Sequence, residues 1–388
     1  MMGMLRPVGS RAPLPHPGTN LRLPWAENYH TWYMGSGTQA LSAAIRLAIG
    51  RSNLKGSEPE VILPAYGCPD LVAAVVAQGA KPVLVDLLPD GPFMDTEKLS
   101  QAFSGATVAV IGAGFLGVPE QLSKLADLCR ERDVWLIEDS AQCFPPDCAR
   151  EPIADCAVLS FGRGKPINLM GGGTLLVRGD HNSAAADLLG NLPEEQLKVD
   201  WKWKARRRLF NFLLGRFGYG LLRRIPFLGL GTTVYKPLAG LYRMRLPAGL
   251  LEAGILEAKV RPVIAPKYDQ KLEFLRQRGW SLFMDSRLAD AHGDGQVVLR
   301  YGLLAPDRKT RDNAIEALNR SGIGANAFYG QALSHIEGLS DLLHGSAGAF
   351  PNAVFFADRL VTLPSHEDVT DQDVSAIVTA LSAATARD

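Results

Sequence analysis

The chain has 388 residues, 47% of them hydrophobic and 21% charged, and its 41 Lys and Arg against 40 Asp and Glu leave a formal net charge of +1. That is apolar enough for a large core and too evenly balanced for a globally basic nucleic-acid binder. The cysteines Cys68, Cys129, Cys143, Cys148 and Cys156 form neither a CxxC pair nor a Cys/His finger, which reads as reduced thiols in the cytoplasm with no metal centre, and Met1–Pro17 has no apolar run of signal-peptide or membrane-spanning length.

Residues 1–33 are rich in Pro, Gly and aromatics and read as an arm. Glu60–Pro64, Pro82–Leu87, Thr107–Ile111 and Val134–Glu138 are short runs of Val, Ile and Leu. Between them, Pro69–Gln78, Asp95–Phe103 and Pro119–Arg132 have helical spacing. Apolar strands alternating with helices predict an α/β domain, its mostly parallel sheet covered on both faces. Cys156–Phe161 and Gly173–Arg178 are two more strands, too close for a helix between them. We expect this large domain to span 34–249. A long helix, Leu250 to about Arg278, then connects it to a small α+β domain, 279–388. That domain holds a strand at Val297–Leu304 and helices at Arg308–Ser321 and near Asp371–Ala384.

Gly112-Ala-Gly-Phe-Leu-Gly117 matches G-x-G-x-x-G between a strand and a helix. This is the setting of a dinucleotide-binding fingerprint, so an NAD(P)-dependent oxidoreductase is one reading. Against it, Pro119 delays the helix start, which draws the helix dipole away from a pyrophosphate. Glycines after a parallel strand also serve plain turn geometry.

A second constellation suits pyridoxal phosphate (PLP). That chemistry needs a lysine for the Schiff base, an acid beside the pyridine nitrogen, an anion pocket and a flat partner for the ring. Lys165 lies in a Gly-rich turn between two strands that contain no other lysine. A solvated turn lysine is the plainer alternative. Asp139 ends the run Val134–Asp139, where open α/β sheets carry their active sites; a strand-end acid or helix cap reads the same way. Gly35-Ser-Gly-Thr38 precedes the helical run Ala40–Ile49 and offers N–H groups and hydroxyls to a phosphate, or simply caps the helix. Ser160 is a further candidate phosphate donor.

These residues resemble the boxes of the DegT/DnrJ/EryC1/StrS family, the sugar aminotransferases of PLP fold type I. Ser36-Gly-Thr-Gln-Ala-Leu41 resembles its SGTxAL loop, and Glu138-Asp-Ser-Ala-Gln142 its EDAAQ box. Ser160 to Gly173 resembles its SFxxxK box with trailing glycines, Arg243-Met244 its RM pair, Ser321–Asn326 its AGIGTN turn and Leu360–Pro364 its LxLP segment. The resemblance runs in order from about 36 to 364. It implies fold type I with a smaller C-terminal α+β domain, PLP on Lys165, and Asp139 beside the pyridine nitrogen. Gln142 would reach the ring-oxygen side. Ser36, Gly37, Thr38, Gln39 and Ser160 would hold the phosphate, and Tyr329 and His335 would meet substrate. It also implies a homodimer that takes a keto sugar and an amino donor, and a turn, not a nucleotide site, at Gly112–Gly117. Cys68 stands where the family has an aromatic against the cofactor ring, leaving Tyr66 or another ring to stack. Leu241 stands where the family has an asparagine reaching the other subunit's phosphate.

The leading expectation is an aminotransferase acting on a nucleotide-linked keto sugar. A PLP-dependent sugar dehydratase, the oxidoreductase and a non-catalytic relative remain as alternatives. Family dehydratases replace the lysine with histidine, and this chain keeps Lys165. Lys198–Pro237 is basic and aromatic-rich, with the single acid Asp200. One helix there would gather Leu209, Phe210, Phe212, Leu213, Phe217, Leu221 and Leu222, with Arg207, Arg208, Asn211, Gly215 and Gly218 towards the other side. That face suits either the partner subunit and sheet or the inner surface of a membrane.

Overall fold

The computed structural model describes residues 3–18, 21–54, 56–89, 91–225, 233–261, 263–284, 297–343 and 350–385. Its strands, in chain order, are β1 (Tyr29–Met34), β2 (Glu60–Pro64), β3 (Lys81–Val85), β4 (Thr107–Ala113), β5 (Trp135–Asp139), β6 (Cys156–Ser160), β7 (Gly173–Arg178), β8 (Glu194–Gln196), β9 (Arg243–Arg245), β10 (Arg300–Leu304) and β11 (Leu360–Pro364). Nine form one sheet in the order β3-β2-β4-β5-β6-β7-β1-β9-β8, and β10 and β11 pair separately. β3, β2, β4, β5 and β6 run parallel, while β7 is antiparallel to both β6 and β1. The apolar runs of β2, β4 and β5 are buried on both faces, as parallel strands require.

The helix Gly37–Arg51 is sunk in the core. Its Ala40, Ala43, Ala44 and Ala48 are buried with Leu41, Ile45 and Leu47, and the small residues let the helix approach the sheet closely. One cluster of buried side chains runs from this helix through Ala65, Tyr66 and Phe115 to Tyr268, Tyr301 and Phe356. The sheet and the C-terminal segment therefore share a core beneath the strand ends.

Two boundaries differ from expectation. β1 begins at Tyr29, so the last residues assigned to the arm belong to the sheet, paired with β7 from Tyr29↔Arg178 to Met34↔Gly173. The rest of the arm is also packed: Leu5 is fully buried, and Arg6 bonds to Gly9 O, Leu214 O, Glu367 and Asp368. The long connecting helix is instead Leu250–Lys259, Ala265–Leu272 and a tighter turn at Glu273–Arg278. The sequence places Pro262 and Pro266 there; proline lacks the N–H that an uninterrupted helix needs, and Pro266 sits in the first turn of the second helix.

The basic stretch forms two helices, Trp201–Leu214 and Arg216–Leu222, because Gly215 is extended. Trp203 and Leu214 are its buried side chains, and Phe210 is half-buried. Asn211 and Arg207 point inward, against expectation, because the arm backbone needs partners: Ala12 N donates to Asn211 Oδ1 (2.9 Å), and Ala12 O accepts from Arg207 Nε (2.7 Å).

Candidate active site

The parallel strands β2, β4, β5 and β6 all end at one edge of the sheet, and a cleft of about 670 Å³ including its open mouth lies there. Its walls bring together Gly37, Thr38, Tyr66, Cys68, Gln142, Asp139, Ser160, Lys165 and Tyr329, all expected from sequence. Asp70 and Phe115, which were not, also line it.

Asp139 is the last residue of β5, in register with Ala113 of β4 and Val158 of β6. The apolar run thus carries a carboxylate to the sheet edge. Its Oδ1 accepts from Ala141 N at 2.9 Å. Burial pushes its pKa up; the Ala141 N–H and the Lys165 charge pull back down, and Asp70 pushes up. Lys165 follows β6 in a turn that uses Gly164 at φ +75. Asn168 anchors the loop by donating to Ser10 O and accepting from Met170 N, while the Ser10 hydroxyl donates to Pro166 O. The arm therefore braces the lysine loop.

Gly37 opens the buried helix directly against Ser160: a Cβ at Gly37 would come within 2.6 Å of Ser160 Cβ. Only glycine leaves room there, so the first N–H groups of the helix and the Ser160 hydroxyl converge on one small space. Such a helix N-terminus favours an anion. Ser36 and Gln39 are placed differently from Gly37 and Thr38. Ser36 Oγ accepts from Gln39 N at 3.1 Å as the helix cap, and Gln39 Oε1 accepts from Tyr242 N. Those groups hold the loop together, and neither residue lines the cleft.

Tyr66 is buried in a cage of rings: Phe115 at 5.5 Å, Tyr329 at 5.6 Å and Phe356 at 5.1 Å between centroids. Cys68 lines the cleft wall, its thiol pushed by burial to about 12, which keeps it neutral. Gln142 joins two walls, accepting from Leu116 N and donating to the Tyr329 hydroxyl at 2.8 Å. His335 does not join them. It lies in a separate depression with Arg308, Gly330, Gln331 and Asp358; the turn Leu333–His335 carries its ring away from the cleft, while Leu333 N is bound to Ala65 O.

The residues present fit PLP. A half-buried lysine and a strand-end carboxylate share the cleft with a glycine cradle that a methyl group would fill. The fingerprint glycines serve packing instead. A Cβ at Gly112 would strike Leu122, and one at Gly117 would strike the backbone of Val297–Leu299. The next helix starts only at Leu122, with no side-chain cap. The nucleotide expectation at Gly112–Gly117 is therefore replaced by a packing role.

The sequence model of the DegT/DnrJ/EryC1/StrS aminotransferase family matches residues 25–212 and 256–382. The chain belongs to this family. It is a PLP-dependent aminotransferase with the mostly parallel sheet of fold type I. An uncharacterized protein of Methanocaldococcus jannaschii is 24% identical over 360 residues, 90% of this chain and 86% of that protein. A dTDP-3-amino-3,4,6-trideoxy-alpha-D-glucose transaminase of Streptomyces venezuelae is 30% identical over 160 residues, 40% of this chain and 41% of that one. Among solved structures, NtdA of Bacillus subtilis with bound cofactor PMP superposes with a TM-score of 0.68 at 17% identity, covering 93% of this chain and 74% of that one.

Proposed function

We propose that this aminotransferase moves an amino group from a donor such as glutamate to a keto sugar carried on a nucleotide, in glycoconjugate or polysaccharide synthesis. The observation that carries the reading is the convergence of Lys165, Asp139, Gly37, Thr38 and Ser160, from three separate segments, on one cleft. The sugar part rests on family membership and on the transaminase relative from Streptomyces venezuelae.

When bound, PLP supplies an electron-accepting ring and a carbonyl carbon. The chain supplies the rest. The Lys165 amine would hold the cofactor and would serve as general base and acid for the proton at the substrate carbon. Asp139 holds the proton on the pyridine nitrogen. The N–H groups of Gly37 and Thr38 and the Ser160 hydroxyl take the phosphate. Gln142, its amide fixed by Leu116 and Tyr329, would meet the ring-oxygen side. Tyr66 and Phe115 supply flat apolar walls in place of the aromatic that Cys68 replaces. The enzyme works as a homodimer in the cytoplasm.

A two-stage half-reaction tests this. Glutamate added to the PLP-loaded protein should shift its absorption to that of the amine form, and a panel of nucleotide-linked keto sugars should restore it. Loss of the amine form to no keto sugar, but to simple keto acids alone, would defeat the sugar assignment. Lys165→Ala should remove covalent trapping of the cofactor by borohydride, read by protein mass. Light scattering checks the dimer.

A further inference from the structure

The two helices of the basic stretch carry a second apolar face that is exposed among the described residues. Trp201, Ala205 and Leu209 recur every four residues and Phe212 follows at three, so they share one side of the first helix. All four are exposed, Trp201 at 73% and Phe212 at 55%. The stripe continues onto the second helix and just past its end: the Phe212 and Phe217 rings lie 6.5 Å apart, and Phe217, Leu221 and, beyond the helix, Ile225 are exposed. Basic side chains flank the first helix's stripe on both sides, Lys202 and Arg206 along one, Lys204 and Arg208 along the other. All are exposed and, among the described residues, none has a carboxylate partner. By contrast, Arg207, Arg216 and Arg223 are bound to Ala12, Asp373 and Asn319. Residues 201–225 contain no Asp or Glu.

We propose that this face docks on an anionic phospholipid surface, with Trp201, Leu209, Phe212 and Phe217 in the headgroup–acyl boundary and the four free cations on lipid phosphates. A stripe of exposed rings and leucines between two rows of unpaired cations is the pattern such a surface stabilises. A second copy meeting it across a twofold axis through this face fits worse: it would lay the same carboxylate-free face against itself, cation on cation. No helix among the described residues is long and apolar enough to cross a membrane, so the contact is peripheral. The second helix falls within 213–255, between the two stretches that match the family. The docking face also lies close to the chemistry. Phe210, on the inner side of the first helix, sits 5.8 Å from the Arg163 guanidinium of the Lys165 loop.

The full-length, PLP-loaded protein is sedimented with vesicles of phosphatidylcholine alone or mixed with phosphatidylglycerol. Binding is expected to the mixed vesicles only, and to fall with salt. Charge reversal of Lys202, Lys204, Arg206 and Arg208 to Glu, and separately Leu209→Ser with Phe212→Ser and Phe217→Ser, should each lower partitioning about tenfold or more. Turnover on soluble substrate and molecular mass should stay unchanged. A matched reversal of Lys124, Arg130, Lys271 and Arg320, away from this face, should bind like the parent. Absence of binding to phosphatidylglycerol vesicles at low salt overturns the proposal. So does equal loss in the matched control, which would reduce the effect to net charge. Retained binding by the serine variant removes the apolar contact, and a fall in its mass by light scattering reassigns the face to a second copy.

Discussion

The Thr38 hydroxyl donates to Asp70 Oδ2 across 3.0 Å, at the N-terminus of the helix that cradles the candidate phosphate site. Both residues line the cleft. The hydroxyl that would serve a phosphate is thus held by a carboxylate, and that carboxylate brings negative charge towards an anion site. Asp70→Asn keeps an oxygen for Thr38 and removes the charge. PLP should bind several-fold more tightly to the variant, with the gain largest at low salt, where charge repulsion is least screened. Titration of the apo protein with PLP, followed by absorbance at two ionic strengths, measures it. Equal or weaker binding would mean that Asp70 acts only by orienting Thr38.

Gly37→Ala tests the cradle by geometry. The added methyl would stand 2.6 Å from Ser160 Cβ and 2.9 Å from Ser160 Oγ. One of the two donors must shift, and overpacking of this kind costs about 1–3 kcal/mol. The variant should melt lower than the parent and bind PLP at least about tenfold more weakly, since 1.4 kcal/mol corresponds to that factor. Pyridoxal without its phosphate should lose far less. A uniform loss for both ligands would point to general unfolding of the helix start.

How much of this was legible in the sequence depends on which force sets each position. β2, β4 and β5 are buried on both faces, so their continuous Val, Ile and Leu runs show directly, as does the carboxylate at the end of β5. Lys165 was legible only through the order of boxes around it, because a turn lysine alone carries no mark of its surroundings. Asp70 was hidden. It opens a seven-residue helix, where an acid is ordinary, and only the tertiary approach of Thr38 gives it a place in the cleft. Phe115 sits inside the nucleotide-like glycine run, a pattern that marks the glycines and says nothing of the ring between them. His335 follows a turn whose direction is set by the Leu333–Ala65 hydrogen bond, a contact between residues far apart in the chain. The inward turn of Arg207 and Asn211 depended on where the arm lies, which helical periodicity cannot contain.

Glu138, next to the candidate catalytic acid, is predicted to be structural. Its Oε1 accepts from Asp147 N and the Ser140 hydroxyl, and its Oε2 from Cys148 N. It is 2% exposed, and burial pushes its carboxyl up to about 7. Glu138→Gln must set an amide NH₂ against one of these donors, leaving a buried polar group unpaired at about 1–3 kcal/mol. The melting temperature should fall. The loop that carries Gln142 should become more open to amide exchange, while covalent trapping of PLP by Lys165 persists. Loss of trapping together with an unchanged melting temperature would place Glu138 in the chemistry.

Asp139 separates stability from function through its pH dependence. Burial raises its pKa in the folded apo protein, despite the opposing Lys165 charge. The folded state therefore keeps a proton that the unfolded chain has already released. The protein is at its best, as far as this group is concerned, below the ordinary carboxylate range, and that stability is lost as pH climbs through the raised pKa. Asp139→Asn removes the buried charge and keeps an oxygen for the Ala141 N–H. The apo variant should melt at or above the parent at pH 7 to 8, with the difference shrinking as pH falls towards about 4, the unperturbed carboxylate value. Turnover should move the opposite way. An amide cannot hold a proton on the pyridine nitrogen as a carboxylate does, and losing a charge-assisted hydrogen bond costs about 1.5–3 kcal/mol, roughly ten- to a hundredfold in rate. Thermal melts of the apo forms across this pH range, set beside turnover of the PLP-loaded forms, read both arms. A variant that is less stable at high pH and still active would mean that Asp139 is an ordinary structural acid and that another group faces the cofactor nitrogen.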